Sequence, residues 1–131
     1  MSLGRRVCQL LLLTVGLSLG AVSLAADDAF PFIRMEDVVV NVGESPGHYA
    51  RVQMQLEVNS KEDMQAVKDK MPIVRDRILL ALGGRPLPEL RDVSKRQALR
   101  EELTAAVNEA LVRYLGRPPL KDILFTGFIV Q

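Results

Sequence analysis

The clearest pattern in this sequence is a strict alternation of apolar and polar positions over residues 49–59. Successive side chains of a strand point to opposite sides, so this alternation predicts a strand with one buried and one wet face. A β-branched run over residues 32–42 predicts a buried strand before it, and the polar loop at residues 43–47 is short enough to join the two as an antiparallel hairpin. The core-facing residues of the alternating strand are Ala50, Val52, Met54, Leu56 and Val58.

An amphipathic helix is predicted after that strand. Ser60 and Asp63 have the spacing of a helix N-cap, and an apolar stripe then continues to a stop at Gly83-Gly84. Pro72 lies inside this stretch, which predicts either a bend or a break into two helices with Pro72 in the first turn of the second. The stripe consists of Met64, Val67, Met71, Val74, Ile78 and Leu82.

A second amphipathic helix follows a proline-containing connector, residues 85–93. We expect this connector to be irregular, with Leu87 and Leu90 packed onto the core. Ser94 is the expected N-cap of the helix, and Gly116 followed by two prolines predicts its end. The apolar stripe of this helix consists of Leu99, Leu103, Val107, Ala110, Leu111 and Tyr114.

The last segment, residues 123–130, is apolar on both faces apart from Thr126 and Gly127. Two structures fit that pattern: a central strand covered on both sides, or a strand at an assembly interface. We expect it inside the sheet beside the first hairpin, because a terminal strand is held only by pairing. The candidate partner or oligomer contacts are Phe125, Phe128, Ile129 and Val130.

Together these elements predict an α+β fold, with a small, mainly antiparallel sheet and two amphipathic helices packed on one face. Two apolar helix stripes need a common apolar surface, and the alternating strand supplies one. A chain of 131 residues with no internal repeat forms one small domain.

Residues 1–26 have the pattern of an export segment. Arg5 and Arg6 precede residues 7–26, which are uncharged and end directly before Asp27. A run of about 20 apolar residues can span a bilayer as a signal anchor, whereas the small residues before Ala26 fit a signal peptide that is cut there. Both alternatives place residues 27–131 in the periplasm as one domain. The domain is then held on the periplasmic side of the inner membrane, or released into the periplasm if the signal is cleaved.

Charge and cysteine content exclude several classes of protein. The chain carries 17 Lys and Arg side chains against 16 Asp and Glu; without residues 1–26, which hold two arginines and no acid, the balance is 15 against 16. A near-neutral domain lacks the basic field with which proteins bind nucleic acid. Cys8 is the single cysteine, so neither an intrachain disulfide nor a zinc cage can form.

No pattern of catalytic or ligand-binding residues is visible in the sequence. His48 is the single histidine, and Gly83-Gly84 follows a predicted helix, whereas a phosphate-binding loop opens one. Glu101 and Glu102 lie in the first turns of a helix, where acidic residues complement the helix dipole. We therefore expect no enzymatic activity, no metal and no cofactor.

Two blocks of the sequence are more specific than the rest: Met71-Pro72-Ile73-Val74-Arg75-Asp76-Arg77-Ile78, and the ending Ile123-Leu124-Phe125-Thr126-Gly127-Phe128-Ile129-Val130-Gln131. Weaker blocks lie in the expected order around them: Val39-Val40-Asn41-Val42, the alternating strand, Leu99-Arg100-Glu101-Glu102-Leu103 and Val107-Asn108. Together they resemble the FliL family of flagellar basal-body-associated proteins, over roughly residues 32–131.

The resemblance implies a non-enzymatic protein with a periplasmic domain similar in fold to the SPFH domain of stomatins. Such proteins assemble near the stator units of the flagellar motor and support torque in swimming or swarming, with an expected link to chemotaxis. The implied partners are flagellar stator and basal-body proteins, other copies of the chain in a homo-oligomer, and the inner membrane if the N-terminal segment is uncleaved. The alternative is a soluble periplasmic accessory or binding module that is related to FliL but not bound to the motor.

Overall fold

The computed structural model describes residues 28–131, which form a four-stranded antiparallel sheet with helices packed on one face. This confirms the predicted α+β class, with four α-helices in place of two. The predicted export segment, residues 1–26, lies outside the described residues. In chain order the elements are β1 (Phe32–Arg34), β2 (Val38–Asn41), β3 (Tyr49–Val58), α1 (Lys61–Asp69), α2 (Met71–Leu82), α3 (Leu87–Arg91), a 3₁₀ turn (Val93–Lys95), α4 (Arg96–Leu115) and β4 (Leu120–Val130).

β3 is the central strand of the sheet. β1 pairs with its C-terminal part and β2 with its N-terminal part along one edge, while β4 pairs along the other edge. The alternation predicted for β3 is confirmed, because every second side chain from Ala50 to Val58 is buried. These buried side chains form the floor of the core.

The position predicted for the last strand is partly wrong. β4 lies beside the hairpin as expected, but within residues 28–131 it pairs with β3 alone and is therefore an edge strand. The apolar residues at successive positions of β4 have another cause. The register shifts between Gln53 and Met54 and again between Glu57 and Val58, and each such irregularity moves the following side chains out of strict alternation. Apolar residues thus occupy successive positions of β4 without burial on both faces.

The run predicted as one strand over residues 32–42 is also interrupted, since β1 ends at Arg34 and β2 begins at Val38. Between them, the carbonyl oxygen of Asp37 accepts a hydrogen bond from Nη2 of Arg75 on α2 at 3.3 Å. The Asp37 side chain binds Arg51 across the sheet. The register against β3 also changes by one residue between the two strands, because Arg34 pairs with Gln55 and Val38 with Val52.

Pro72 breaks the first predicted helix, as one of the two alternatives stated. α1 ends at Asp69 and α2 begins at Met71, which places Pro72 in the first turn of α2. The N-cap prediction is confirmed as well: Oγ of Ser60 accepts a hydrogen bond from the amide of Asp63 at 3.1 Å. At the start of α1, the Ser60 side chain satisfies an amide that has no partner within the helix. In the first turn of α2, Pro72 has no amide hydrogen that would need a partner.

Two predictions for the following connector are wrong. The connector is not irregular throughout, because residues Leu87–Arg91 form α3. Leu90 of this helix is buried in the core, as expected for that side chain. Ser94 does not cap α4 through its side chain. The carboxylate of Asp92 instead accepts hydrogen bonds from the amide and hydroxyl of Ser94, at 2.9 and 2.6 Å. The serine hydroxyl therefore donates to a carboxylate two residues earlier in the chain and does not accept a bond from an amide of α4.

Candidate contact surface around the C-terminal strand

The predicted contact residues lie on two different faces of β4. Phe125, Phe128 and Val130 lie opposite buried residues of β3 and pack, partly buried, against the core. Ile129 lies opposite Arg51 on the other face of the sheet, where it is 50% exposed. Of the four, only Ile129 therefore has half of its surface exposed.

Phe128 is held in place by a second aromatic ring and by a cation. Its ring centroid lies 5.3 Å from that of Phe125 in an edge-to-face arrangement. The guanidinium carbon of Arg96 lies 3.3 Å from the Phe128 ring centroid, a cation–π contact between α4 and β4. Partial burial lowers the pKa of Arg96 from its ordinary value, and the nearby carboxylate of Asp92 opposes that change.

An exposed patch surrounds Ile129 on the outer face of the sheet, the face opposite the helices. Val39, Arg51 and Ile129 lie side by side in one row across three strands, and Tyr49 lies in the next row. Val39 is 55% exposed and Tyr49 37%. We call these four residues the outer patch. Tyrosine and arginine are the residue types that are enriched at the energetic centres of protein interfaces.

Asp37 fixes the arginine of the outer patch. Its carboxylate accepts hydrogen bonds from Nη2 and Nε of Arg51, the latter at 2.7 Å, and from Nε2 of Gln53 at 3.2 Å. These bonds, foremost the one from Arg51, lower the pKa of Asp37 below its ordinary value. A Cβ atom at Gly127 would collide with the Gln53 side chain, so this glycine leaves room for Gln53 to lie across β4.

Most of the outer patch was missed from the sequence, which singled out Ile129 alone. Val39 and Tyr49 each follow the pattern of an ordinary strand position, and their proximity to Ile129 depends on the pairing of three separate segments. One local signal did exist: Asp37 is a charged residue inside a β-branched run, and such a residue indicates an interruption and a polar partner.

A concave surface, separate from the outer patch, lies where β1 meets the start of α2. It is a cavity of about 370 Å³ with an apolar lining from Met35, Met71 and Pro72 and charged groups from Arg34, Glu36 and Arg75. In the sequence, the Met71-Pro72 block was one of the motifs that carry the family resemblance, and it gave no indication of a cavity. We call this surface the α2 groove.

No candidate metal centre accompanies these surfaces. Over residues 28–131, no group of three or more His, Cys, Asp or Glu side chains is arranged to hold a metal ion. His48 lies beside the hairpin loop, near Glu44 and Leu87. In the same part of the chain, no helix has the length and apolar character needed to cross a membrane.

Comparison with known proteins connects this sequence to flagellar proteins. The sequence model of the family described as "Flagellar basal body-associated protein FliL" matches residues 32–131. The chain belongs to the FliL family. The FliL match begins at the first residue of β1 and includes β4 and the outer patch, and it confirms the resemblance recognised in the sequence.

A curated FliL relative gives the same result. The chain is 29% identical over 83 residues to "Flagellar protein FliL" of Aquifex aeolicus (strain VF5). That alignment covers 63% of this chain and 49% of the relative, so the chain matches about half the length of the bacterial FliL protein.

Proposed function

We propose that this chain is a non-enzymatic protein that supports the stator units of the flagellar motor in swimming, swarming or chemotaxis. Membership of the FliL family, whose description names the basal body, supports this proposal. The single observation that carries the contact role is the outer patch, an exposed cluster around Ile129 on the sheet face opposite the helices.

In this proposal, residues 27–131 are the periplasmic domain and residues 1–26 deliver it as a signal peptide or hold it as a signal anchor. The domain acts at the periplasmic face of the inner membrane, as a homo-oligomer that contacts stator or basal-body proteins. A kinship with the SPFH domain of stomatins belongs to the same proposal and draws support from the α+β fold.

The contact surface combines exposed and supporting residues. Ile129 touches the partner directly, while Phe125, Phe128 and Val130 hold β4 against the core from the other face. Arg51 gives the surface a donor that Asp37 keeps in a fixed orientation, and a fixed donor loses less entropy on binding.

A motility assay with a matched pair of variants tests this function. Ile129→Glu places a charge in the outer patch, whereas Val93→Glu places the same charge on the 3₁₀ turn, where Val93 is 76% exposed. Each variant is expressed in a strain from which the gene has been deleted, and swimming and swarming zones are measured at equal protein levels. We expect Val93→Glu to restore motility and Ile129→Glu to leave it at the level of the deletion strain. Full motility with Ile129→Glu would contradict the contact role.

The α2 groove favours the alternative of a periplasmic accessory or binding module. Its volume of about 370 Å³ lies within the range of small-molecule sites, and its mainly apolar lining with a few charged groups is typical of them. Under this alternative, Met71→Glu would fail to complement the deletion strain, whereas Ile129→Glu would complement it fully. The two variants therefore distinguish the two functions.

A further inference from the structure

We propose that the domain lies against the phospholipid bilayer that holds its N-terminal segment, with the side on which α1 ends and α2 begins turned toward the lipid headgroups. This inference rests on the signal-anchor alternative of the proposed function and adds the surface that the membrane contacts. It follows from the place at which the N-terminal segment joins the domain.

Asp28 fixes that place on the domain. Its carboxylate accepts a hydrogen bond from the amide of Arg34, at the end of β1, at 3.1 Å. The same carboxylate lies 3.7 Å from Nζ of Lys68, in the last turn of α1. The N-terminal segment therefore joins the domain beside the ends of β1 and α1.

The length of chain before Asp28 brings this place close to the bilayer. Residues 7–26 are uncharged, and Asp27 alone separates them from Asp28. Two residue steps span at most about 7 Å, and the headgroup region on each side of a bilayer is about 5–7 Å thick. With residues 7–26 in the membrane, Asp28 lies at the level of the headgroups, and the side chains around it contact them.

A continuous surface extends from Asp28 over the start of α2. Arg34 and Lys68 adjoin Asp28, and Arg34 also lines the α2 groove. Lys70, between α1 and α2, reaches α4, where its Nζ lies 4.8 Å from the ring centroid of Tyr114. Tyr114 is 57% exposed. We call Arg34, Lys68, Lys70, Tyr114 and the α2 groove the attachment face.

The residue types of the attachment face suit the headgroup region of a bilayer. Tyrosine is enriched at the membrane–water interface, where its ring and hydroxyl group meet apolar and polar surroundings at once. Lysine and arginine lay their apolar stems along the surface and turn their charges toward the lipid phosphates. The apolar lining of the α2 groove, from Met35, Met71 and Pro72, is covered in the same contact.

The charge of the attachment face is compatible with anionic phospholipid. Together with its neighbours Asp28 and Asp69, the face has a surplus of one positive charge. Its basic side chains are Arg34, Lys68, Lys70 and Arg75, and the acidic ones are Asp28, Glu36 and Asp69.

This placement leaves the outer patch free for the proposed motor contact. Tyr114 and the helices lie on one face of the sheet, whereas Tyr49 and Ile129 lie on the other. Tyr49 is also at the opposite end of β3 from Glu57, the residue that pairs with Phe32. A bilayer on the attachment face and a partner on the outer patch therefore do not compete.

Tryptophan fluorescence of the full, uncut chain in vesicles tests the contact. The sequence has no tryptophan, so Tyr114→Trp and its control Tyr49→Trp each introduce a single fluorophore at an exposed tyrosine. The vesicles contain phosphatidylglycerol and a phosphatidylcholine brominated near the headgroup end of its acyl chains, since bromine quenches tryptophan only at close range. Relative to unbrominated vesicles, we expect Tyr114→Trp to lose about half of its fluorescence, as an indole at the interface does, and Tyr49→Trp to lose none.

Phe30→Trp is the control for the attachment itself. Phe30 is 45% exposed and lies two residues after Asp28, so every anchored chain keeps it near the bilayer. Quenching of Phe30→Trp alone would show a domain that is tethered but turned away, and would overturn the inference. Equal quenching of Tyr114→Trp and Tyr49→Trp, or quenching of none of the three variants, would also overturn it.

Charge reversal tests whether the basic side chains carry the contact. In the Tyr114→Trp chain, Lys70→Glu turns a carboxylate toward the phosphates, whereas Lys95→Glu makes the same change at an exposed position roughly 28 Å away along α4. We expect Lys70→Glu to reduce the quenching at least about twofold and Lys95→Glu to leave it unchanged. Circular dichroism verifies the fold of both variants. Equal quenching in the two folded variants would overturn the inference.

The outcomes separate this inference from the proposed motor contact. If Tyr114→Trp is not quenched while Ile129→Glu still abolishes motility, the bilayer contact is wrong and the motor contact stands. If Tyr114→Trp is quenched and Ile129→Glu swims normally, the bilayer contact is correct and the motor contact is wrong. If cells contain only a chain that is cut before Ala26, no bilayer adjoins Asp28 and the inference is overturned, whatever the motility assay shows.

Discussion

Single charged residues fasten the loops of this domain to its core. Asp63 at the start of α1 is 2% exposed, and its carboxylate accepts hydrogen bonds from Nε and Nη2 of Arg117 at 3.0 and 2.7 Å. Arg117 lies in the turn between α4 and β4, so one ion pair joins two distant segments. The sequence predicted Asp63 only as the partner of the Ser60 cap, because its contact with Arg117 depends on the tertiary fold.

Replacing Asp63 should therefore cost more stability than replacing its neighbour. We expect Asp63→Ala to lower the free energy of unfolding by about 1–3 kcal/mol, the range for loss of a buried, charge-assisted hydrogen bond. Glu62→Ala is the control, because the Glu62 side chain is 88% exposed and 3.7 Å from the same arginine; its effect should be below about 1 kcal/mol. Urea unfolding followed by circular dichroism measures both. Equal losses would show that burial of Asp63 is unimportant.

Asp37 should make stability depend on pH in the acid range. Its hydrogen bond from Arg51 lowers the pKa of the carboxyl from the ordinary value of 3.8 in the folded state. The stabilisation is then complete above the unfolded pKa and is lost as the pH falls through the folded pKa. We expect the difference in unfolding free energy between the natural chain and Asp37→Asn to be constant from about pH 7 to 5 and to shrink below about pH 4. A difference that is unchanged at pH 2.5 would contradict this assignment.

At the scale of the secondary-structure elements, packing of the helices on the sheet depends on which side chains of β3 point toward the helices. Leu56 is fully buried, whereas Gln55 lies on the outer face. We expect Leu56→Ala to lower the free energy of unfolding by about 2–5 kcal/mol, through lost burial and the cavity left behind. Gln55→Ala should change it by less than about 0.5 kcal/mol. Chemical denaturation of both variants checks the facing, and similar losses at the two positions would refute it.

The elements that were predicted correctly are those whose cause is local. The alternation of β3, the break at Pro72 and the end of α4 at Gly116 each follow from nearby residues, and the positive φ of 73° at Gly116 explains why a glycine is needed there. The elements predicted wrongly depend on distant contacts. Leu90 of α3 is buried in the core, and within residues 28–131 β4 pairs with β3 alone and so lies at an edge; neither fact is visible in a local pattern.

At the scale of the whole molecule, the outer patch also combines a residue that the sequence indicated with residues that only the fold brings together. Ile129 stood out because its segment carries more apolar residues than a one-faced strand needs. Val39, Tyr49 and Arg51 did not, because three strands must pair before they become neighbours. The fold packs its helices on one face of the sheet, and this arrangement leaves the outer patch exposed.

The maturation of the chain is a further whole-molecule prediction. If residues 1–25 are removed as a signal peptide, protein recovered from the periplasm should begin near Ala26, since small residues precede that position. Mass spectrometry of the intact protein measures this directly. Recovery of the uncut chain alone, in inner-membrane fractions, would instead establish residues 1–26 as an anchor.

The pairing of β3 also fixes a distance along the molecule. Phe32, near the start of the domain, lies beside Glu57 at one end of β3, and Gln131 lies beside Tyr49 at the other. Eight residue steps of about 3.3 Å separate these two ends by roughly 26 Å. Ile129 lies beside Arg51, six steps or roughly 20 Å along β3 from Glu57. β3 is therefore a spacer: if a membrane holds the chain through its N-terminal segment and a motor protein binds the outer patch as proposed, that protein meets Ile129 at up to about 20 Å from the level of Phe32.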